Sequence, residues 1–122
     1  MRIADSGSYA PAAPPAREAI LATDENSFAQ LWRTRVRGGE PPQIDFANEV
    51  AVLLMSEEHS SGGWSIVPQS VRLEGTVLVV DATVEGPPPG GIASMALTQP
   101  WVVLAVSPSS IEPASVEGVR WD

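Results

Sequence analysis

The chain contains no cysteine and no lysine, and it has a single histidine, His59. Without cysteine there can be no disulfide, no thiolate nucleophile and no thiolate-ligated zinc. Without lysine, all seven basic residues are arginines, set against 15 acids for a formal charge of −8. That balance is poorly suited to gripping a phosphate backbone, which takes clustered cations, so no nucleic-acid partner is expected. One histidine cannot build a multi-histidine metal centre, and no metal or other cofactor is expected either. No run approaches the roughly 18–20 apolar residues that span a bilayer, so no membrane insertion is expected. Residues 1–13 lack the basic-then-apolar order of an export signal.

What the chain does have is apolar content. Hydrophobic residues make up 43% of 122 positions and charged residues 18%, proportions that suit one packed domain. Residues 1–15, rich in Ala, Ser and Pro, read as a flexible lead-in, with a single domain over 16–122. Residues 17–22 could form a short strand. Thr23, Asp24 or Ser27 can cap a helix, and Ser27 with Gln30 fits a capping box. Phe28, Leu31 and Trp32 then give that helix one apolar stripe, which Gly38-Gly39 and Pro41-Pro42 terminate.

From Glu49 onward the period becomes that of strands. Residues 50–55 and 101–106 are apolar on both parities, as strands covered on both faces require. Residues 64–73 and 76–85 read as a hairpin about Glu74-Gly75. On its second arm Leu78, Val80, Ala82 and Val84 make one apolar face. On the first arm the apolar parity flips between Ile66 and Val71, which predicts a β-bulge at Val67-Pro68. The fold class expected is α+β: mostly antiparallel and sandwich-like, with one short helix and a core holding Trp32, Trp64 and Trp101.

Candidate chemistry is sparse. Glu57-Glu58-His59 reads as a solvated loop, because neighbours on an extended chain point to opposite faces. A catalytic triad from His59 with Ser60 or Ser61 has neither favourable geometry nor a G-x-S-x-G elbow. Asp45, Glu49, Asp81 and Glu85 could supply a carboxylate pair, but the sequence places no two of them in one cleft. Gly62-Gly63 and Gly90-Gly91 lack phosphate-loop spacing and fit turns and close backbone approach better. In an antiparallel meander the connections 56–63 and 86–91 share one end of the sheet, and 98–101 joins them if residues 92–97 do not run the full sheet length. Loops stiffened by proline and carrying tryptophan suit protein recognition. Ser61, Gly62, Gly63, Trp64, Pro88, Gly90, Pro100 and Trp101 are therefore the candidate protein-binding residues, with no catalytic residue among them. Trp64 and Trp101 are read as core, their neighbouring backbone supplying the edge.

Asp45-Phe46 before an apolar strand, Ser61-Gly62-Gly63-Trp64, a Val-rich hairpin, the prolines at 87–89 and Thr98-Gln99-Pro100-Trp101 together resemble the PrcB C-terminal domain family. The Phe28-Ala29-Gln30-Leu31-Trp32 helix also occurs in such proteins, and the resemblance covers roughly residues 17–107. The family usually has Thr-Gly-Gly-Tyr, and Ser61-Gly62-Gly63-Trp64 keeps a hydroxyl and an aromatic at the corresponding places. The resemblance implies a non-catalytic role, stabilising or assembling a protease complex, with a protein partner and a location outside the cytoplasm. A second likeness, to chagasin-type cysteine-protease inhibitors, rests on Gly62-Gly63, Gly90-Gly91 and Pro100-Trp101 and implies inhibition instead. A third expectation, an enzyme with an unfamiliar carboxylate site, would need a cleft with two converging acids.

Overall fold

The computed structural model describes residues 1–8, 16–36, 39–59, 62–87 and 98–122. In chain order these form β1 (Arg2–Gly7), β2 (Glu18–Ala22), helix α1 (Glu25–Leu31) running on into a π-helical stretch (Trp32–Val36), β3 (Val50–Met55), the hairpin of β4 (Ser65–Glu74) and β5 (Val77–Glu85), β6 (Trp101–Val106) and β7 (Gly118–Trp121). The strands make two sheets. One has four strands in the order β1-β6-β3-β2, all antiparallel. The other has the order β4-β5-β7, in which β7 lies parallel to β5.

β3 and β6 occupy the centre of the four-stranded sheet, and each of their twelve residues is buried. One parity (Val50, Val52, Leu54, Val102, Leu104, Val106) packs against Leu78, Val80 and Ala82 of the other sheet. The opposite parity (Ala51, Leu53, Met55, Trp101, Val103) packs against Phe28, Trp32 and Val36 on the helical layer. The domain is thus helix on sheet on sheet, and this layering explains why neither strand alternates. Each buried Val or Leu stabilises the fold by about 1.5–3 kcal/mol relative to exposure, so these two short strands carry most of the core.

The helix begins where its cap permits. Asp24 has extended backbone, and its carboxylate accepts the Ser27 N–H at 2.7 Å, making Asp24 the N-cap among the three candidates. The hydrogen bond holds the Asp24 carboxyl below its ordinary value. Beyond Leu31 the Thr34 hydroxyl donates back to the carbonyls of Gln30 (2.9 Å) and Leu31 (3.2 Å), a local competition that accompanies the widened turn. Arg35, in the π-helical stretch, pairs with Glu18 of β2 at 2.8 Å.

Several expectations need correction. The lead-in over 1–15 does not describe its first half, since Arg2–Gly7 is an edge strand on β6; residues 9–15 lie outside the described residues. The strands do not form one meander, because the chain leaves the four-stranded sheet after β3 and returns to it only in β6. The hairpin turns at Gly75-Thr76, where Glu74 faces Val77 and Gly75 takes a φ of +65°. The bulge is real but falls one residue later: Pro68 faces Ala82 and Ser70 faces Asp81, leaving Gln69 over. Pro68 can stand in this edge strand because it needs no donor on its solvent side. Trp64 precedes β4, is half-buried, and belongs to neither apolar cluster.

Candidate functional site

Beyond Met55 the pairing of β3 with β6 continues through irregular chain. The Ser56 N–H donates to the Pro100 carbonyl at 2.9 Å, and His59 and Thr98 exchange both backbone hydrogen bonds at 2.8 and 2.9 Å. The Gln99 N–H reaches the Ser8 carbonyl at 2.9 Å, extending β1 alongside. Three connections are therefore spliced together at the end of the four-stranded sheet where β6 enters. Pro100 is wholly buried there, and Trp101 is 7% exposed, meeting Trp32 edge-to-face with ring centroids 5.5 Å apart. These two residues hold the end of the sheet from behind and do not face solvent.

The second sheet adds its own end to the first. Gly62 is buried, and Gly63 takes a φ of +83°, the left-handed region that glycine enters without a Cβ penalty. Space imposes the same choice, since a Cβ on Gly63 would lie 2.9 Å from the Pro87 Cβ. A Cβ on Gly86 would meet the Trp64 ring at 3.0 Å. Gly62, Gly63 and Trp64 thus share an edge with Gly86 and Pro87. Ser61, Pro88 and Gly90, together with Ser60 and Gly91, lie outside the described residues.

His59 joins the two ends. Its ring stacks on Trp64 with centroids 3.8 Å apart and planes 6° from parallel. Its Nε2 lies 3.1 Å from the Ser56 hydroxyl and 3.9 Å from Glu57 Oε1. Glu57 is held by Arg17 at 2.8 Å, and that hydrogen bond keeps its carboxyl below the ordinary carboxylate value. The Arg17 guanidinium in turn lies 5.3 Å from the Trp121 ring centroid, and Trp121 donates its indole N–H to the Ala82 carbonyl at 3.0 Å. A chain of contacts therefore runs from β7 through Arg17 and Glu57 to the His59–Trp64 stack.

Glu57-Glu58-His59 is not the solvated loop expected, because the His59 side chain is only 12% exposed and Glu58 alone projects freely. No pattern of residues signals this: the stack depends on two side chains meeting across a connection, with no period to announce it. The Ser56–His59 contact superficially matches a nucleophile and its base. Ser56, however, is 0% exposed, and its hydroxyl also donates to the Glu57 carbonyl at 3.0 Å, so an acyl carbon has no approach to it. The contact is a brace. The four acids named for carboxylate chemistry do not gather in one cleft: Asp45 and Glu49 share one turn, where the Asp45 N–H donates to Glu49 Oε1 at 3.2 Å and Arg2 engages Glu49, whereas Asp81 pairs with Arg72 on the other sheet. Among the described residues no group of three or more potential ligands could hold a metal ion.

A family model described as PrcB C-terminal matches residues 50–107. That segment belongs to the PrcB C-terminal family. The match is shorter than the resemblance over 17–107 and covers just under half the chain. No curated protein matches the chain, and no solved structure does. The PrcB C-terminal segment runs from β3 into the residue after β6, so it contains both central strands, the hairpin and every residue of the shared edge. Arg17 and Trp121, which buttress that edge, lie outside it.

Proposed function

We propose that this chain is a non-catalytic protein-interaction domain whose binding surface is the edge formed by Gly62–Trp64, Gly86–Pro87 and Thr98, and that its partner belongs to a protease complex which it stabilises or assembles. The observation that carries this reading is the convergence on His59 and Trp64. Two sheet ends meet there, and the described residues around them (56–59, 62–64, 86–87 and 98–100) are held by backbone hydrogen bonds, a tight glycine contact or an aromatic stack. A surface so ordered loses little conformational entropy when a partner docks, and a half-buried tryptophan beside bare backbone is the type of anchor that dominates interfaces. The protease context rests on PrcB C-terminal membership of residues 50–107. The inhibitor reading uses the same edge and differs only in what happens to the partner.

A photo-crosslinking residue at the exposed Glu85 position, introduced in the native host, tests this directly. Trp64→Ala should weaken capture of the partner by roughly 30-fold, the scale of a 2 kcal/mol hot spot. Glu74→Ala, at the far end of the hairpin, should leave capture unchanged. A captured protease that keeps full activity supports the accessory role, and a blocked one supports inhibition. Equal capture by both variants would refute the assignment of this edge.

A further inference from the structure

Away from this edge, helix α1 and residues 41–46 border a half-open cavity of about 460 Å³, within the roughly 300–1,000 Å³ range of small-molecule sites. Its floor is aromatic. Phe28 is 4% exposed and meets Phe46 at a tilted angle with centroids 5.9 Å apart, while Ile44 packs into the same cluster. Pro41 and Pro42 form part of the wall and fix its backbone, so the cavity is shaped before any ligand arrives.

Three charged residues line the opening: Arg2, Glu25 and Asp45. Arg2 is already committed. Its Nε and Nη2 reach the two Glu49 oxygens at 3.3 and 3.1 Å, and Nη2 also donates to the Gln43 carbonyl at 3.0 Å. Asp45 accepts only neutral donors, the Ala47 N–H at 3.3 Å and the Asn48 amide at 2.8 Å. Glu25 stands on the first turn of α1 with no ion pair among the described residues. With Arg2 balanced by Glu49, the charge left at the opening among the described residues is negative.

We propose that this cavity binds a small organic cation, an ammonium or guanidinium carried on an aromatic or branched aliphatic body. The body lies on Phe28, Ile44 and Phe46. The cation faces Glu25 and Asp45, and the aromatic rings add cation–π attraction. All of these residues precede Val50, so the site is built by chain outside the PrcB C-terminal segment and stands independently of the interaction edge.

The probes are 2-phenylethylammonium, its isosteric anion 3-phenylpropionate and neutral 2-phenylethanol, each titrated into the isotope-labelled full chain while amide shifts are followed by NMR. The ammonium should shift residues 25–29 and 43–48 saturably, with a dissociation constant at or below about 1 mM. The anion and the alcohol should bind at least about tenfold more weakly, and the double variant Glu25→Gln, Asp45→Asn should lose about tenfold in ammonium affinity. Ala29→Leu, on the cavity wall, should abolish the shifts while leaving the dispersion of the spectrum intact. Equal binding of all three probes would overturn the charge selection. Absence of saturable shifts in the unaltered chain would overturn the site.

Discussion

Gly7 is the last residue of β1, and its substitution by alanine isolates a single steric contact. A Cβ there would lie 2.5, 2.6 and 2.7 Å from Nε1, Cε2 and Cζ2 of Trp101, the residue it faces across the strand pair. The indole is rigid and cannot withdraw, because its far side meets Trp32 edge-on. Relief must come from lifting the end of β1 off β6 or from displacing the Trp101–Trp32 pair. Overpacking of this kind costs about 1–3 kcal/mol. Alanine also restricts the unfolded chain, which offsets about 0.4–1 kcal/mol. The steric term wins, giving a net loss of about 1–2 kcal/mol. At an unfolding entropy of about 2.1 cal/mol/K per residue, a chain of this length should lose roughly 4–8 °C in Tm. Urea unfolding followed by circular dichroism measures the loss. Trp101→Leu, which removes all three contacting atoms, should abolish the Gly7→Ala penalty within a double-mutant cycle. A Gly7→Ala chain as stable as the parent, or a penalty that persists beside Leu at 101, would refute the reasoning.

Leu104 is fully buried in β6, and Leu104→Ala should cost about 2–5 kcal/mol in the same assay. Its neighbour across the strand pair, Ile3, is 56% exposed, and Ile3→Ala should stay within about 0.5 kcal/mol. The Glu57 carboxyl titrates below its ordinary value of 4.5 in the folded chain because Arg17 bonds the ionised form, so the unfolded state binds the proton more readily. The stability this pair contributes is present above pH 4.5 and is lost as pH falls through the lowered value. Unfolding monitored between pH 6 and pH 3 should therefore show a shallower acid dependence in Arg17→Ala than in the parent, and identical slopes would count against the pairing.

The central strands were legible because burial on two faces leaves a direct mark: residues 50–55 and 101–106 carry no polar side chain on either parity. The hairpin was legible for a related reason, the alternation of β5, and the parity flip in β4 announced a bulge. Its position was one residue out because Pro68 needs no ladder donor and can face Ala82 within the pairing, so the extra residue is Gln69. β1 was illegible. Arg-Ile-Ala-Asp-Ser-Gly has neither alternation nor apolar weight, and the strand exists through backbone pairing with a partner about a hundred positions away. At the candidate edge, glycine and proline marked the close approaches of Gly63 to Pro87 and of Trp64 to Gly86. His59 escaped notice because a stack between side chains five residues apart in irregular chain has no sequence period. Trp64 falls outside the core because the regular ladder begins only at Ser65, so the alternation that would point its ring inward does not extend to it.

The strand order has a consequence for how this molecule can be divided. Excised alone, residues 50–107 would keep β3 beside β6 yet strip both of their outer neighbours, leaving two rows of unsatisfied amides and carbonyls open to any passing chain. The same cut would bare Ala51, Leu53, Met55 and Val103 to water, since their cover comes from residues 28–36. What the family model recognises in this protein is a kernel without its shell. A fragment trimmed to those limits should be sticky and prone to self-association, so the working unit must take in β1 and β2, both of which precede it in the chain.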